Sequence, residues 1–308
     1  MDFSNILKNI FYLLLILTFA QPLIKMLKET YRKTVEPHTK VGYLEIRGLV
    51  DDASKYTKQL QPLFKDNDIK AILIKIESLG GVAGSSEALF NEIMNMKKEH
   101  PKQIAVLVEN VCASGAFWVA CSADHIVASP VAWVGSIGAY IQSFRLKEFI
   151  NYHNIKYESP KAGAYKNVTD PFVDVTPEQT AMLQTLCDQT YQEFTQTVAH
   201  RRSNKLSLNT VNEWANGKIF TGRQALELGL VDELGSKSNA VTWLKEKALI
   251  EGKIEWVSPP QPSPWQSLWG QAEASDASSA DTALTNATKI ADALCAKLEE
   301  RYGVTMRA

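Results

Sequence analysis

A chain of 308 residues is long enough for one large domain or two modest ones, and its 45% hydrophobic content supplies a sizeable core. Its 33 Lys and Arg nearly balance 34 Asp and Glu, leaving a net charge of −1. That balance excludes the basic stripe of a nucleic-acid-binding protein. The four cysteines, Cys112, Cys121, Cys187 and Cys295, form no C-x-x-C pair, which excludes a zinc knuckle or thioredoxin-type redox motif. Cys112, two residues before Ser114, reads as a packing residue.

The first forty residues stand apart. Residues 10–20 read IFYLLLILTFA, and the uncharged stretch covers residues 9–24, sixteen positions between Lys8 and Lys25. A spanning helix needs roughly 17–25 residues, so this segment sits at the short edge. No small-x-small cleavage site follows it, and Lys25, Lys28, Arg32 and Lys33 come at once. A retained single-pass anchor is therefore expected, in preference to a removed signal peptide or a buried helix. The basic residues after the span favour placing the following domain inside.

From Val41 to Trp256 the chain alternates strand-like and helix-like segments. Residues 41–48, 71–76 and 104–110 are apolar and rich in β-branched side chains, and 125–129 and 133–140 predict two shorter strands. Between them lie helical stretches such as 85–98, with Leu89, Phe90, Ile93 and Met94 on one face. This order predicts an α/β domain of βαβ units with a mostly parallel sheet. Thr176-Pro177-Glu178-Gln179 has the form of a capping box opening a helix that runs to about Arg202. Thr221-Gly222-Arg223-Gln224 repeats the arrangement, and Gly229 is a natural stop. Beyond Val257 the composition changes. Residues 258–265, SPPQPSPW, form a proline-rich linker, and 282–302 predict an amphipathic helix carrying Leu284, Ile290, Leu294 and Leu298. The expected organisation is thus 1–40 anchor and basic segment, 41–257 α/β domain, and 258–308 linker and terminal helix.

Three segments carry candidate chemistry. Residues 110–120, NVCASGAFWVA, read as strand, tight turn and helix, with Ser114 where the helix begins and the Gly115 N–H as a free helix-terminal donor. An acyl-transfer nucleophile needs that combination of exposed hydroxyl and adjacent amide. Taken alone, the pattern suits a capping serine beside a packing glycine better. Residues 78–82, SLGGV, also follow a strand, and the Gly81 N–H is a candidate second oxyanion donor; alone, they are a strand-to-helix turn. Residues 163–166, GAYK, offer Lys166. A lysine serves as general base when apolar surroundings depress its pKa, whereas a single lysine is ordinarily a solvated charge. Of the histidines, His38, His100, His125, His153 and His200, none has a triad context, and His125 reads as a strand-edge residue.

Together these segments resemble the S49 family of signal peptide peptidases (SppA/SohB type), part of the wider group with the ClpP and crotonase-like fold. The resemblance covers about 41–235. Its elements occur in family order: the glycine pair after a strand, ASGAFWVA, ADHIVASP, VGSIGAY, GAYK followed by DPF, and FTGRQALELGLVDELG. It implies repeated ββα units, Ser114 as nucleophile, Lys166 as general base, and the amides of Gly81 and Gly115 as oxyanion hole. It further implies no metal or cofactor, hydrophobic membrane-derived peptides such as cleaved signal peptides as substrates, and a ring-like homo-oligomer. Attachment would be to the cell (inner) membrane through residues 9–24. Family members usually place the catalytic domain outside, opposite to the reading of the basic residues, so the side stays open. Two positions depart from the pattern: Leu79 stands where a proline usually precedes the glycine pair, and Ala162 where a small hydroxyl residue often precedes Gly163. A crotonase-like acyl-CoA enzyme would use the same amides for a thioester enolate without needing Ser114 or Lys166. An inactive membrane scaffold would keep the fold and lose the dyad. The presence of both dyad residues at family spacing argues against each.

Overall fold

Period-two alternation builds the sheet. In β2 (Ile69–Ser78), Ile72, Ile74 and Ile76 enter one core layer while Ala71 and Leu73 enter the other. Its parallel neighbours β1 (His38–Arg47) and β3 (Gln103–Ala113) follow the same division, with Val106 and Val108 on one side and Ala105 and Leu107 on the other. Both faces are covered, which is why these strands read as nearly continuous apolar runs. The computed structural model describes residues 20–22, 24–25, 38–203 and 205–259. The expected C-terminal helix lies outside them, as does almost all of the expected anchor at 9–24. Among the described residues no helix is long and apolar enough to cross a membrane.

The larger layer is formed by α1 (Ala53–Lys65), α2 (Ala83–Glu99), α3 (Gly115–Ala120) and α5 (Pro177–Arg201), which contribute Tyr56, Leu60, Leu89, Ile93, Phe117, Trp118, Phe194 and Val198. The opposite face is closed by α8 (Lys237–Lys247) through Ala240 and Leu244. Smaller elements complete the set: α4 (Lys147–Tyr152), α6 (Val211–Trp214) and α7 (Gly222–Leu228), with strands β4 (His125–Ala128), β5 (Trp133–Gly135), β6 (Ile219–Thr221), β7 (Glu233–Leu234) and β8 (Lys253–Val257).

The sheet runs β6-β5-β3-β2-β1-β8, and only the β5–β6 pairing is antiparallel. β3 has two successive partners on one side. Ala105–Val108 pairs with β4, and Val111–Ala113 pairs with β5. The carboxyl ends of β2, β3 and β5 therefore lie side by side, with Ser78 opposite Cys112 and Cys112 opposite Val134. In open parallel sheets this edge is where ligands bind. Here it gathers the glycine turn, Ser114 and the chain leaving β5.

Several boundaries differ from the sequence reading for local reasons. The strand expected at 133–140 pairs only over Trp133–Gly135, because Gly135 (φ 102) and Ser136 (φ 51) turn the chain out of the sheet. β3 continues three residues past Asn110, held there by β5. The capping boxes at Thr176/Gln179 and Thr221/Gln224 both form, and Gly229 ends α7 in the left-handed conformation.

Candidate active site

Ser114 sits on the elbow between β3 and α3 with φ 50 and ψ −130, a conformation that costs a non-glycine residue on the order of 1–3 kcal/mol. Its backbone is pinned from both sides. The N–H donates to the Gly135 carbonyl at 2.7 Å, and the carbonyl accepts from Phe117 at 2.8 Å and Trp118 at 3.1 Å. The hydroxyl makes no capping bond. Every other residue from 112 to 123 is buried, while Ser114 is partly exposed. The elbow thus pushes one hydroxyl out of an otherwise closed core.

The glycine turn is built against this elbow. Gly80 has φ 116, and a Cβ there would stand 2.8 Å from the Ser114 Cβ. The buried Ser78 hydroxyl accepts from the Gly80 N–H at 3.1 Å and donates to the Gly80 carbonyl at 3.2 Å. That bond sets the turn in which Leu79 occupies the place of a proline. Val50 then takes the peptide groups on either side of Gly81: its N–H donates to the Gly80 carbonyl at 2.9 Å, and its carbonyl accepts from Val82 at 3.0 Å. In such a parallel bridge the N–H of Gly81 faces away from Val50, towards the β3 side. Gly115 is the first residue of α3, so its N–H has no intrahelical acceptor. The two glycines adjoin, with the Gly81 nitrogen 3.4 Å from the position a Gly115 Cβ would occupy. Amides so placed beside a serine can hold the negative charge of a tetrahedral adduct.

A cavity of about 430 Å³ opens beside them. Gly81, Ser114 and Gly115 line one side, and Trp118, Leu186, Cys187, Thr190 and Phe194 line another. Trp118 and Phe194 stack with ring centroids 4.5 Å apart and planes at 4°. Residues 138–142, leaving β5, complete the wall. The lining suits an apolar side chain.

Lys166 is not brought into this cavity. It is exposed, in a turn where its N–H donates to the Gly163 carbonyl at 3.2 Å. The surrounding segment is braced internally. Arg145 donates to the carbonyls of Val168 and Asp170 at 3.3 and 3.2 Å, and the Gln179 amide donates to the Ala164 carbonyl at 2.6 Å.

No histidine lines the cavity among the described residues. His125 lies at the start of β4 opposite Ala105, nine residues or about 30 Å of strand before Ser114. It pairs with Glu233 at 3.0 Å and stacks on Trp243. Nor does either of the two fully buried thiols, Cys112 and Cys121, compete with Ser114. Burial raises the Cys112 thiol well above its ordinary pKa and pushes that of Cys121 up to about 12. Ser78 and Gly80 both belong to the SLGGV segment expected as a glycine turn; the Ser78–Gly80 hydrogen bonds and the packing of Gly80 on Ser114 are what the structure adds.

The residues 96–251 match the model of peptidase family S49. The chain is similar to a putative protease of Methanocaldococcus jannaschii, 36% identical over 199 residues that span 65% of this chain and 63% of that protein. It is 30% identical over 228 residues to a putative protease of Synechocystis, covering 73% of this chain and 80% of the relative. A putative signal peptide peptidase SppA of Enterococcus faecium is 27% identical over 230 residues, 70% of this chain and 66% of that protein. The match thus spans slightly less than two thirds of the archaeal relative's own length. The chain belongs to peptidase family S49.

Proposed function

We propose that this chain is a membrane-anchored serine endopeptidase with a Ser114–Lys166 dyad, built on a ClpP/crotonase-like fold and cleaving hydrophobic, membrane-derived peptides such as released signal peptides. The observation that carries the reading is the strained, partly exposed Ser114 elbow set beside the two free amides of Gly81 and Gly115. Neutral lysine takes the Ser114 proton as Oγ attacks a peptide carbonyl. The two amides hold the oxyanion, each contributing roughly 10²–10³ in kcat. The lysinium then protonates the leaving amine, and water, activated by the same lysine, releases the acyl group. The stacked Trp118–Phe194 pair and Leu186 give the cavity affinity for an apolar substrate side chain.

Because Lys166 is exposed and stands outside the Ser114 cavity, the dyad is assigned to neighbouring copies in a homo-oligomeric ring. The exposed Tyr140, Phe144, Phe149, Tyr152 and Tyr165, all within residues 140–165, support such a contact, since exposed apolar surface favours association. Residues 9–24 would hold the ring at the cell (inner) membrane. The fork at which β3 passes from β4 to β5 supports the fold assignment. The reading is tested by treating the full chain with a fluorophosphonate and mapping the adduct by mass spectrometry. The adduct is expected on Ser114, and to be lost in Ser114→Ala. An intact enzyme with an unmodified Ser114 would speak against it.

A further inference from the structure

Ser86 stands in the first turn of α2 with no exposed surface, and a serine gains little there. It is a weaker helix former than alanine, and its hydroxyl competes with the helix by bonding back along the chain. The Oγ does bond back, donating to the Val82 carbonyl at 3.0 Å, a carbonyl that already accepts from the Ser86 N–H at 2.9 Å. Alanine would fill the same core position without a polar atom. The reason for the oxygen lies across the interface with α3. A Cβ built on Gly115 would meet Ser86 Oγ at 2.1 Å and Ser86 Cβ at 3.0 Å, while the Gly81 nitrogen is 3.4 Å from the same point.

The hydroxyl therefore lies between the end of the glycine turn and the start of α3. It is bonded to Val82, the residue after Gly81, and it abuts the Cα of Gly115. Its hydrogen is committed to Val82, so the oxygen presents lone pairs, with no donor, towards Gly115. We infer that Ser86 is a positioning residue whose buried hydroxyl acts as the spacer that sets Gly115 against Gly81. The inference rests on the serine-peptidase reading. It also explains why residue 115 is glycine: the space for a side chain is filled by Ser86. The two donors are backed differently. Behind Gly81 lies backbone, the Val50 carbonyl at 2.2 Å from a would-be Cβ, whereas behind Gly115 lies a side chain that can be exchanged.

The test measures kcat, KM and melting temperature for full-length wild type, Ser86→Ala, Ser86→Gly, Gly115→Ala and the double variant Gly115→Ala/Ser86→Gly on one fluorogenic apolar peptide. Displacing a donor by a fraction of an ångström should lower kcat of Ser86→Ala about tenfold, with KM and melting temperature near wild type. Gly115→Ala should lose about 10²-fold or more in kcat. Removing the clashing side chain should let the double variant regain at least about tenfold over Gly115→Ala, although Ser86→Gly alone is slower than wild type. Wild-type kcat in Ser86→Ala, or a double variant no faster than Gly115→Ala, would overturn the inference. A melting-temperature change with kcat intact would reduce Ser86 to a packing residue and overturn it as well. Failure of the peptidase reading looks different: the wild type itself would carry no fluorophosphonate on Ser114, and the inference would fall with it.

Discussion

Replacing Gly80 by alanine should damage both the fold and the site, in proportions the structure sets. The new Cβ would stand 2.8 Å from the Ser114 Cβ, 3.0 Å from the Ala113 carbonyl oxygen and 3.1 Å from the Gly115 nitrogen. Two of these neighbours are backbone and cannot swing aside. The φ of 116 adds strain for any side chain, on the order of 1–3 kcal/mol, and overpacking adds about as much again. A total of about 2–6 kcal/mol is serious against a typical stability of about 5–15 kcal/mol, yet leaves most molecules folded. The melting temperature should fall by about 5–15 °C. Relief of the contact displaces Ser114 or the Gly115 amide, so kcat should drop about 10²-fold in the molecules that remain folded. Thermal melts and initial rates of peptide cleavage, both on the full chain in detergent, measure the two effects. A variant melting within about 2 °C of wild type and turning over at an unchanged rate would refute the proposed packing of the elbow.

Further outcomes follow from the same geometry. Lys166→Ala and Ser114→Ala should each be inactive, but co-assembled in equal amounts they should recover about one functional site in four if the dyad forms between neighbours, and none if it forms within one chain. Among Cys112, Cys121 and Cys187, only the half-buried Cys187 should react readily with iodoacetamide, and its adduct should slow cleavage because it projects into the cavity wall; peptide mapping and rates check both. Burial tends to raise the Asp232 carboxyl, but the hydrogen bonds and charge of Arg202, at 2.7 and 2.8 Å, outweigh it and hold the group below the usual range. A depressed folded pKa gives stability that is present above the unfolded value of about 3.9 and is lost as pH falls through the folded one. Asp232→Asn should therefore cost about 3–5 kcal/mol at pH 7, with the gap to wild type closing below about pH 4 in melts across pH.

What could be read from the sequence was local. Apolar runs rich in β-branched residues at 71–76 and 104–110 mark the central strands, and the capping residues Thr176 and Thr221 mark two helix starts, because each signal lies within a few positions. The identity of Ser114 and Gly115 as a strand-to-helix elbow was legible for the same reason. The strand expected over 133–140 was too long, since apolar residues past Gly135 line a cavity rather than a sheet. The packing of Gly80 on Ser114 and of Ser86 on Gly115 is not legible locally, because the partners lie about thirty residues further along the chain. The exposure of Lys166 is what a single lysine ordinarily shows, but nothing in the Gly163–Lys166 segment announces that it stands apart from the serine. Separation of two loops in space is set by the whole sheet, not by their own sequences.

The central claim is that Ser114 is the nucleophile. Its most direct test is cleavage of a fluorogenic signal-peptide-like substrate by purified wild type and Ser114→Ala in detergent, with folding of both checked by thermal melting. The account predicts turnover by wild type and loss of at least about 10³-fold in the variant at an equal melting temperature. Equal turnover by the two proteins would contradict it.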